Sequence, residues 1–250
     1  MIHKTAAQLF TLREEMKRGI KPVLAELKQM GWPGVQLSAL PEGYDPQELA
    51  AWLQEYNLKA AGMHVSLQRL EKDLEGVIEE VNLYQTKDIV CPFLPESTRT
   101  KEGYTEIKHK LNKWAKQASS YRISYHNHDF EFDVVMDEGQ SALEYLLEPT
   151  PDNLIYAEID VYWVKKAGLN PVSFIRPYAK RMPLLHLKDM TNDHRQTFAE
   201  IGQGQIDFLP IIEWGEQSGV EWYIVEQDQC ERDPMRSLEM SLVYLNQMKV

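Results

Sequence analysis

Hydrophobic and polar positions follow two alternating rhythms from one end of the chain to the other. Short runs rich in β-branched, aromatic and small apolar residues, at 5–10, 34–40, 58–67, 88–93, 122–132, 153–163, 182–190 and 221–228, read as strands. Between them, stretches at 13–30, 46–57, 70–82, 102–119, 141–147, 170–179 and 208–218 suit helices, and a last one covers 234–248. Asp45-Pro46 opens one of these with proline in its first turn. The pattern amounts to eight strand-then-helix units. One marked position near each strand's C-terminal end, namely Gln8, Gln36, His64, Cys91, His126, Asp160, His186 and Glu226, recurs about every 31 residues, enough for a strand, a helix and two short connections. Eight such units close a parallel barrel. A doubly wound open sheet usually has a glycine-rich turn after its first strand, and QLFTLRE contains no glycine. The expected fold class is therefore α/β, a (β/α)8 TIM barrel, as one domain over 1–250 without a linker or low-complexity break.

Composition narrows the partners. A chain of 250 residues with 43% hydrophobic and 26% charged residues buries a core without staples. Lys plus Arg number 27 against 38 Asp plus Glu, a net charge of −11 that opposes approach to polyanions, and no basic patch overrides it. Neither nucleic acid nor a membrane is an expected partner. Cys91 and Cys230 make no disulfide framework and have no Cys-x-x-Cys or neighbouring histidine, so neither reads as a nucleophile or a ligand. The first residues lack the apolar core of a signal peptide, and no stretch reaches the roughly 18 apolar residues of a membrane span. The expected location is the cytoplasm.

In such a barrel the strand C-terminal ends meet on one face. Strands five to eight end in His126, Asp160, His186 and Glu226, two imidazoles and two carboxylates. A divalent transition metal takes that mixture of neutral nitrogen and anionic oxygen, and two carboxylates neutralise its charge. By the two-residue alternation Glu158 points inward one layer below Asp160, where it either orients a metal-bound histidine or pairs with a barrel cation. Lys188 and His128 lie two residues beyond His186 and His126 on the same faces: Lys188 either holds a substrate oxygen or phosphate or is a solvated loop lysine, and His128 is a candidate to contact substrate.

The segments YHNHDFEF, EIDVYWVKKAG, LLHLKDM, IGQGQIDF and YIVEQD, in that order, resemble the xylose isomerase-like TIM-barrel superfamily, in particular its sugar phosphate isomerase/epimerase members. Fainter likeness in AAQLFTLRE and GMHVSL extends the resemblance over nearly the whole chain. It implies one divalent ion, Mn2+ first, with Mg2+, Co2+ or Zn2+ as alternatives, held by a strand-five residue and by Asp160, His186 and Glu226. Relatives commonly carry Glu on strand five, where this chain has His126. Family epimerases pass protons between two opposed Glu residues, so this departure leaves two routes: Glu131 folds back as a second acid/base group beside Glu226, or a single base suffices, as in dehydration. The implied function is a metal-dependent sugar or sugar phosphate isomerase/epimerase working through an enediolate. The alternative is a dehydratase or lyase of the inosose dehydratase type, or one that β-eliminates a 3-keto-sugar.

Two further readings remain. A non-catalytic sugar-binding barrel keeps the polar pocket. The superfamily's apurinic endonuclease needs an Asp-x-His before its Gly-x-Gly turn, where this chain has Gln196 and Phe198. Candidate substrate contacts are His64, His128, Trp163 and Gln8. Arg99 reads either as a contact to an anionic substrate or as a solvated arginine. Gly202 and Gly204 offer amides to a phosphate or simply make a tight turn. His3, His109 and His194 receive no role. Trp114 and Trp214 serve a homo-oligomer interface or packing.

Overall fold

The computed structural model describes residues 2–248; positions 1, 249 and 250 of the expected barrel lie outside them. Its strands are β1 (Thr5–Gln8), β2 (Gly34–Leu37), β3 (Lys59–His64), β4 (Asp88–Cys91), β5 (Arg122–His126), β6 (Tyr156–Asp160), β7 (Leu184–Leu187), β8 (Asp189–Met190), β9 (Phe198–Ala199) and β10 (Trp222–Val225). Its helices are α1 (Arg13–Met16), α2 (Ile20–Met30), α3 (Pro46–Glu55), α4 (Leu67–Lys72), α5 (Leu74–Leu83), α6 (Lys101–Gln117), α7 (Ala142–Leu147), α8 (Val161–Lys166), α9 (Pro171–Ile175), α10 (Leu209–Ser218) and α11 (Pro234–Gln247). Strands β1 to β7 and β10 pair in parallel and close on one another, β10 against β1, so the fold is a (β/α)8 TIM barrel. β8 and β9 form a small antiparallel ribbon above β7.

The strands are short and buried on both faces because helices cover the outside and side chains fill the inside. Ala6, Ala61, Val90, Leu184 and Ile224 form an apolar plug within the barrel. Helix starts follow their capping chemistry: Asp45, Thr100, Ser141 and Asp233 each accept a first-turn amide, and Glu144 completes a capping box with Ser141. Trp114 is buried in the core and Trp214 packs partly against it. No helix among the described residues is long and apolar enough to cross a membrane.

Two of the expected helices are broken. Gly19, at φ 133°, separates α1 from α2, and Asp73 separates α4 from α5 while capping the latter. The run 153–163, expected as one strand, ends at Asp160. Its carboxylate accepts the Tyr162 amide at 2.9 Å and starts α8, so a cap overrides the strand propensity of Val161, Tyr162 and Trp163.

One irregularity positions the site. The β2–β3 register shifts by a residue at Gly62, whose φ of 118° makes a bulge where an added Cβ would meet Asp88 and Leu184. Ala61 joins the plug inside the barrel, and without the bulge alternation would turn His64 outward. With it, His64 also reaches the interior.

Candidate active site

The inward side chains at the strand C-terminal ends form two stacked polar layers. In the lower one, Glu158 on β6 is fully buried and ringed by imidazoles: its Oε2 lies 2.7 Å from His64 Nε2, 3.2 Å from His126 Nδ1 and 3.4 Å from His186 Nε2. Burial pushes the Glu158 carboxyl up, but His186, His64 and His126 outweigh it and hold the carboxyl well below the usual range. Gln36 on β2 donates from Nε2 to Glu158 Oε1 at 2.5 Å, which turns its Oε1 to accept from Gln8 Nε2 at 2.6 Å and from His186 Nε2 at 2.7 Å.

That network fixes proton positions. His64 Nε2–H donates to Glu158, and its Nδ1 faces Gln8 Nε2 at 3.4 Å. His186 carries a proton on Nε2 because its partner there is an amide oxygen. Its other nitrogen, Nδ1, faces the upper layer, 3.2 Å from Glu226 Oε2. His126 likewise turns Nδ1 toward Glu158 and Nε2 toward Asp160, 3.9 Å from Oδ2. Burial, then His186, lowers its pKa to about 3, so it stays neutral.

The upper layer holds Asp160, Glu226 and Lys188. The Lys188 ammonium is 2.9 Å from Asp160 Oδ2, 2.9 Å from Glu226 Oε2 and 2.7 Å from Asp228 Oδ1. Burial opposes its charge, but the three carboxylates raise its pKa well above the ordinary value. Burial raises Asp160 to about 6 against the pull of Lys188 and His186. Glu226 goes the other way: Lys188 and His186 overcome burial and keep it well below its usual range. Asp228 is raised by burial, with Lys188 acting against it.

The four residues expected to hold a metal, His126, Asp160, His186 and Glu226, do come together, with one donor atom from each within 4.8 Å of the others. A second set, His64, His126, Glu158 and His186, meets the same limit one layer down. The upper set suits a divalent ion on two observations. It combines neutral imidazole with two carboxylates. Asp160 Oδ2, sealed from solvent, makes no hydrogen bond beyond its 2.9 Å ion pair with Lys188, an ammonium shared with Glu226 and Asp228. Asp160 offers one oxygen only, since Oδ1 caps α8. For an ion to take Oδ2 and Glu226, Lys188 must give up both and keep Asp228.

A cavity of about 530 Å³ opens onto this cluster, within the range of small-molecule sites. His64, His126, His128 and Glu226 line it, together with Asp228, Phe10 and Phe93, which the sequence reading did not assign. His128 stacks on Phe130 and touches Phe93 and Trp163 edge-on or tilted, and burial lowers its pKa to about 2.

Several expectations change. Glu131 does not fold back over the cluster. It is fully buried behind the barrel wall, accepting from the Tyr125 hydroxyl at 2.5 Å and the His128 amide at 2.8 Å, because Tyr125 alternates to the outer face of β5. Gln8 lies under the imidazoles and braces Gln36 instead of lining the cavity. Trp163 packs on Tyr162, Phe198 and His128 at the edge and is not a lining residue. Arg99 is not solvated alone: its guanidinium lies 3.5 Å over Phe130 and its Nε donates to Leu94 O. Gly202 and Gly204 do present amides to an anion, but the anion is the chain's own Asp189. Gln36, a strand-end position to which the sequence reading gives no chemistry, is a further residue of the site.

No protein-family model matches the sequence. Among curated proteins the chain is similar to an inosose dehydratase of Geobacillus kaustophilus, 23% identical over 272 aligned positions that cover 90% of this chain and 86% of that protein. It is 28% identical to an inosose dehydratase of Clostridium botulinum over 150 positions, spanning about half of each (51% and 48%). Among solved structures it superposes on a sugar phosphate isomerase/epimerase from Parabacteroides distasonis, with a TM-score of 0.81, 22% identity and 98% of both chains covered. A xylose isomerase domain protein from Alicyclobacillus acidocaldarius gives a TM-score of 0.70 at 13% identity, covering 97% and 96%. The fold is that of the xylose isomerase-like TIM barrels.

Proposed function

We propose that this barrel is a divalent-metal-dependent enzyme that removes water from a cyclic polyhydroxy ketone. The observation that carries the proposal is the one-sidedness of its acid/base groups. The carboxylates lining the cavity, Glu226 and Asp228, both belong to the β10 end, while β5 contributes the imidazole of His126 and Glu131 lies behind the wall. Epimerisation needs proton transfer on opposite faces of a carbon; removal of an α-proton and return of a proton to a departing β-hydroxyl needs one side only. The similarity to inosose dehydratases supports the same reading.

His126, Asp160, His186 and Glu226 would hold the ion, manganese before magnesium, cobalt or zinc, which when bound supplies Lewis-acid polarisation of the substrate carbonyl. Glu226, kept ionised by Lys188 and His186, accepts the α-proton. Asp228, whose carboxyl burial raises above its ordinary value against the pull of Lys188, gives a proton to the β-hydroxyl as the C–O bond breaks and water leaves. Both carboxylates line the cavity, so water there returns the proton from Glu226 to Asp228 between turnovers. His128, whose Nδ1 makes no hydrogen bond, binds a hydroxyl group from the β5 side, while His64 lines the cavity from the β3 side.

The test is incubation of manganese-loaded protein with a panel of inososes, 3-keto-glycosides and ketoses in D2O, followed by NMR. Loss of water with formation of an unsaturated ketone is expected. Inversion at a carbon, or aldose–ketose interconversion with no water lost, would instead place the protein among the isomerases/epimerases.

A further inference from the structure

Resting on the reading above, we infer that the substrate is an uncharged cyclic polyol carrying no phosphate. Three independent features of the mouth point to it.

The loop after β7, the obvious phosphate cradle of the barrel, is already filled. Asp189, buried on β8, accepts from the amides of Gly202 and Gly204 at 2.9 Å each through Oδ2, and from Met190 at 2.7 Å and Ile206 at 3.1 Å through Oδ1. Four amides of the kind that would wrap an anion are spent on an internal one. Gly204 also leaves no room, since an atom at its Cβ position would sit 2.2 Å from Met190 O and 2.3 Å from Asp189 Oδ1.

The cavity, in turn, is lined by no lysine or arginine, whereas Glu226 and Asp228 face it. A phosphate dianion placed there meets two carboxylates in a partly desolvated space. The nearby cations are committed: Lys188 to Asp228 even when an ion takes Asp160 and Glu226, Arg13 to the carbonyls of Phe10 and Asp228, and Arg99 to the Leu94 carbonyl and the face of Phe130.

What the walls do offer fits a neutral ring. Phe10, Pro92 and Phe93 give apolar surface for C–H faces, and Ser38, Ser66 and Gln68 give neutral donors and acceptors for hydroxyls. Phe93, held edge-on against His128 and Phe130, is still 48% exposed, a large apolar face left open at the rim.

The experiment uses manganese-loaded full-length protein and isothermal titration with matched probes: D-fructose against D-fructose 6-phosphate, and an inosose against inorganic phosphate. Tighter binding of the neutral member by about tenfold or more is expected. Preference for the phosphate ester, or competition by millimolar inorganic phosphate, overturns the inference while leaving the metal-dependent sugar chemistry intact. If neither neutral probe binds nor any panel compound turns over, the function proposed above fails first. Gln68→Lys, which places a cation on the cavity wall, is expected to raise fructose 6-phosphate affinity about tenfold; no gain would show that wall charge does not govern the choice and would also overturn the inference.

Discussion

Both ends of the barrel bury charge, and they finish it differently. At the N-terminal end, Arg122 on β5 grips Asp88 with two bonds of 2.6 Å and also binds Glu221, next to a cavity of about 800 Å³. There one guanidinium satisfies two carboxylates in its fixed fork. At the C-terminal end a single ammonium stands among three carboxylates, two imidazoles face the same point, and Asp160 Oδ2 makes no hydrogen bond beyond that shared ion pair. The larger cavity accompanies the completed pairing and the smaller one the incomplete one. Cavity size is therefore a poor guide to the site, and unfinished polar bonding a better one.

The largest test of this contrast is the double variant Asp160→Ala/His186→Ala. It is expected to lose stoichiometric metal, measured by elemental analysis of protein purified without chelator, together with about a thousandfold or more of any turnover. Full metal retention would remove the upper layer from consideration. At the other end Arg122→Met leaves a buried carboxylate unpaired. Urea unfolding is expected to show a loss of about 3 kcal/mol with metal content unchanged. A fall in metal content without loss of stability would reverse the assignment of the two ends.

Glu131 sharpens the comparison as a buried carboxyl at the C-terminal end that stands outside the cluster, behind the barrel wall. Burial raises its carboxyl to about 7, against an ordinary value of 4.5. Between those values the folded protein binds the proton and the unfolded chain does not, so Glu131 costs stability progressively as pH rises through this window and nothing below it. Glu131→Gln is expected to remove a decline of about 3 kcal/mol between roughly pH 4.5 and 7, at 1.36 kcal/mol per unit, read by urea melts across that range. An unchanged pH profile would show that Glu131 does not carry it. The smallest effect concerns the amide beneath the histidines. Gln36→Leu removes the acceptor that fixes the His186 proton on Nε2 and is expected to weaken Mn2+ binding by about 10- to 100-fold in calorimetry, with little change in folding. Unaltered affinity would show that Glu158 orients the imidazoles without help.

The architecture was legible because each strand is a short, doubly buried run at a nearly even spacing, and the periodicity survives small boundary errors. The grouping of His126, Asp160, His186 and Glu226 followed from the same regularity, since a closed parallel barrel brings strand ends into one ring. What escaped depended on paths and partners. The course of the loop after His126 decides which side of the wall Glu131 occupies, and no local pattern encodes it. Asp228 stood in view two residues beyond Glu226 and was passed over. Asp189 in the glycine turn could not be foreseen, because one residue type on β8 supplies an anion to amides more than ten positions away. Gln36 has the same difficulty, its partners coming from β1, β6 and β7.

The kink at Gly62 makes one imidazole in this barrel a matter of counting. Were Gly62 to pair as an ordinary strand residue, the chain would keep every amino acid type of the centre, yet alternation would present the thioether of Met63 to Glu158 and send His64 toward the helices. Barrels compared by residue identity alone would then look alike at this spot while their chemistry differed, so the pairing of the third strand must be matched before its histidine is.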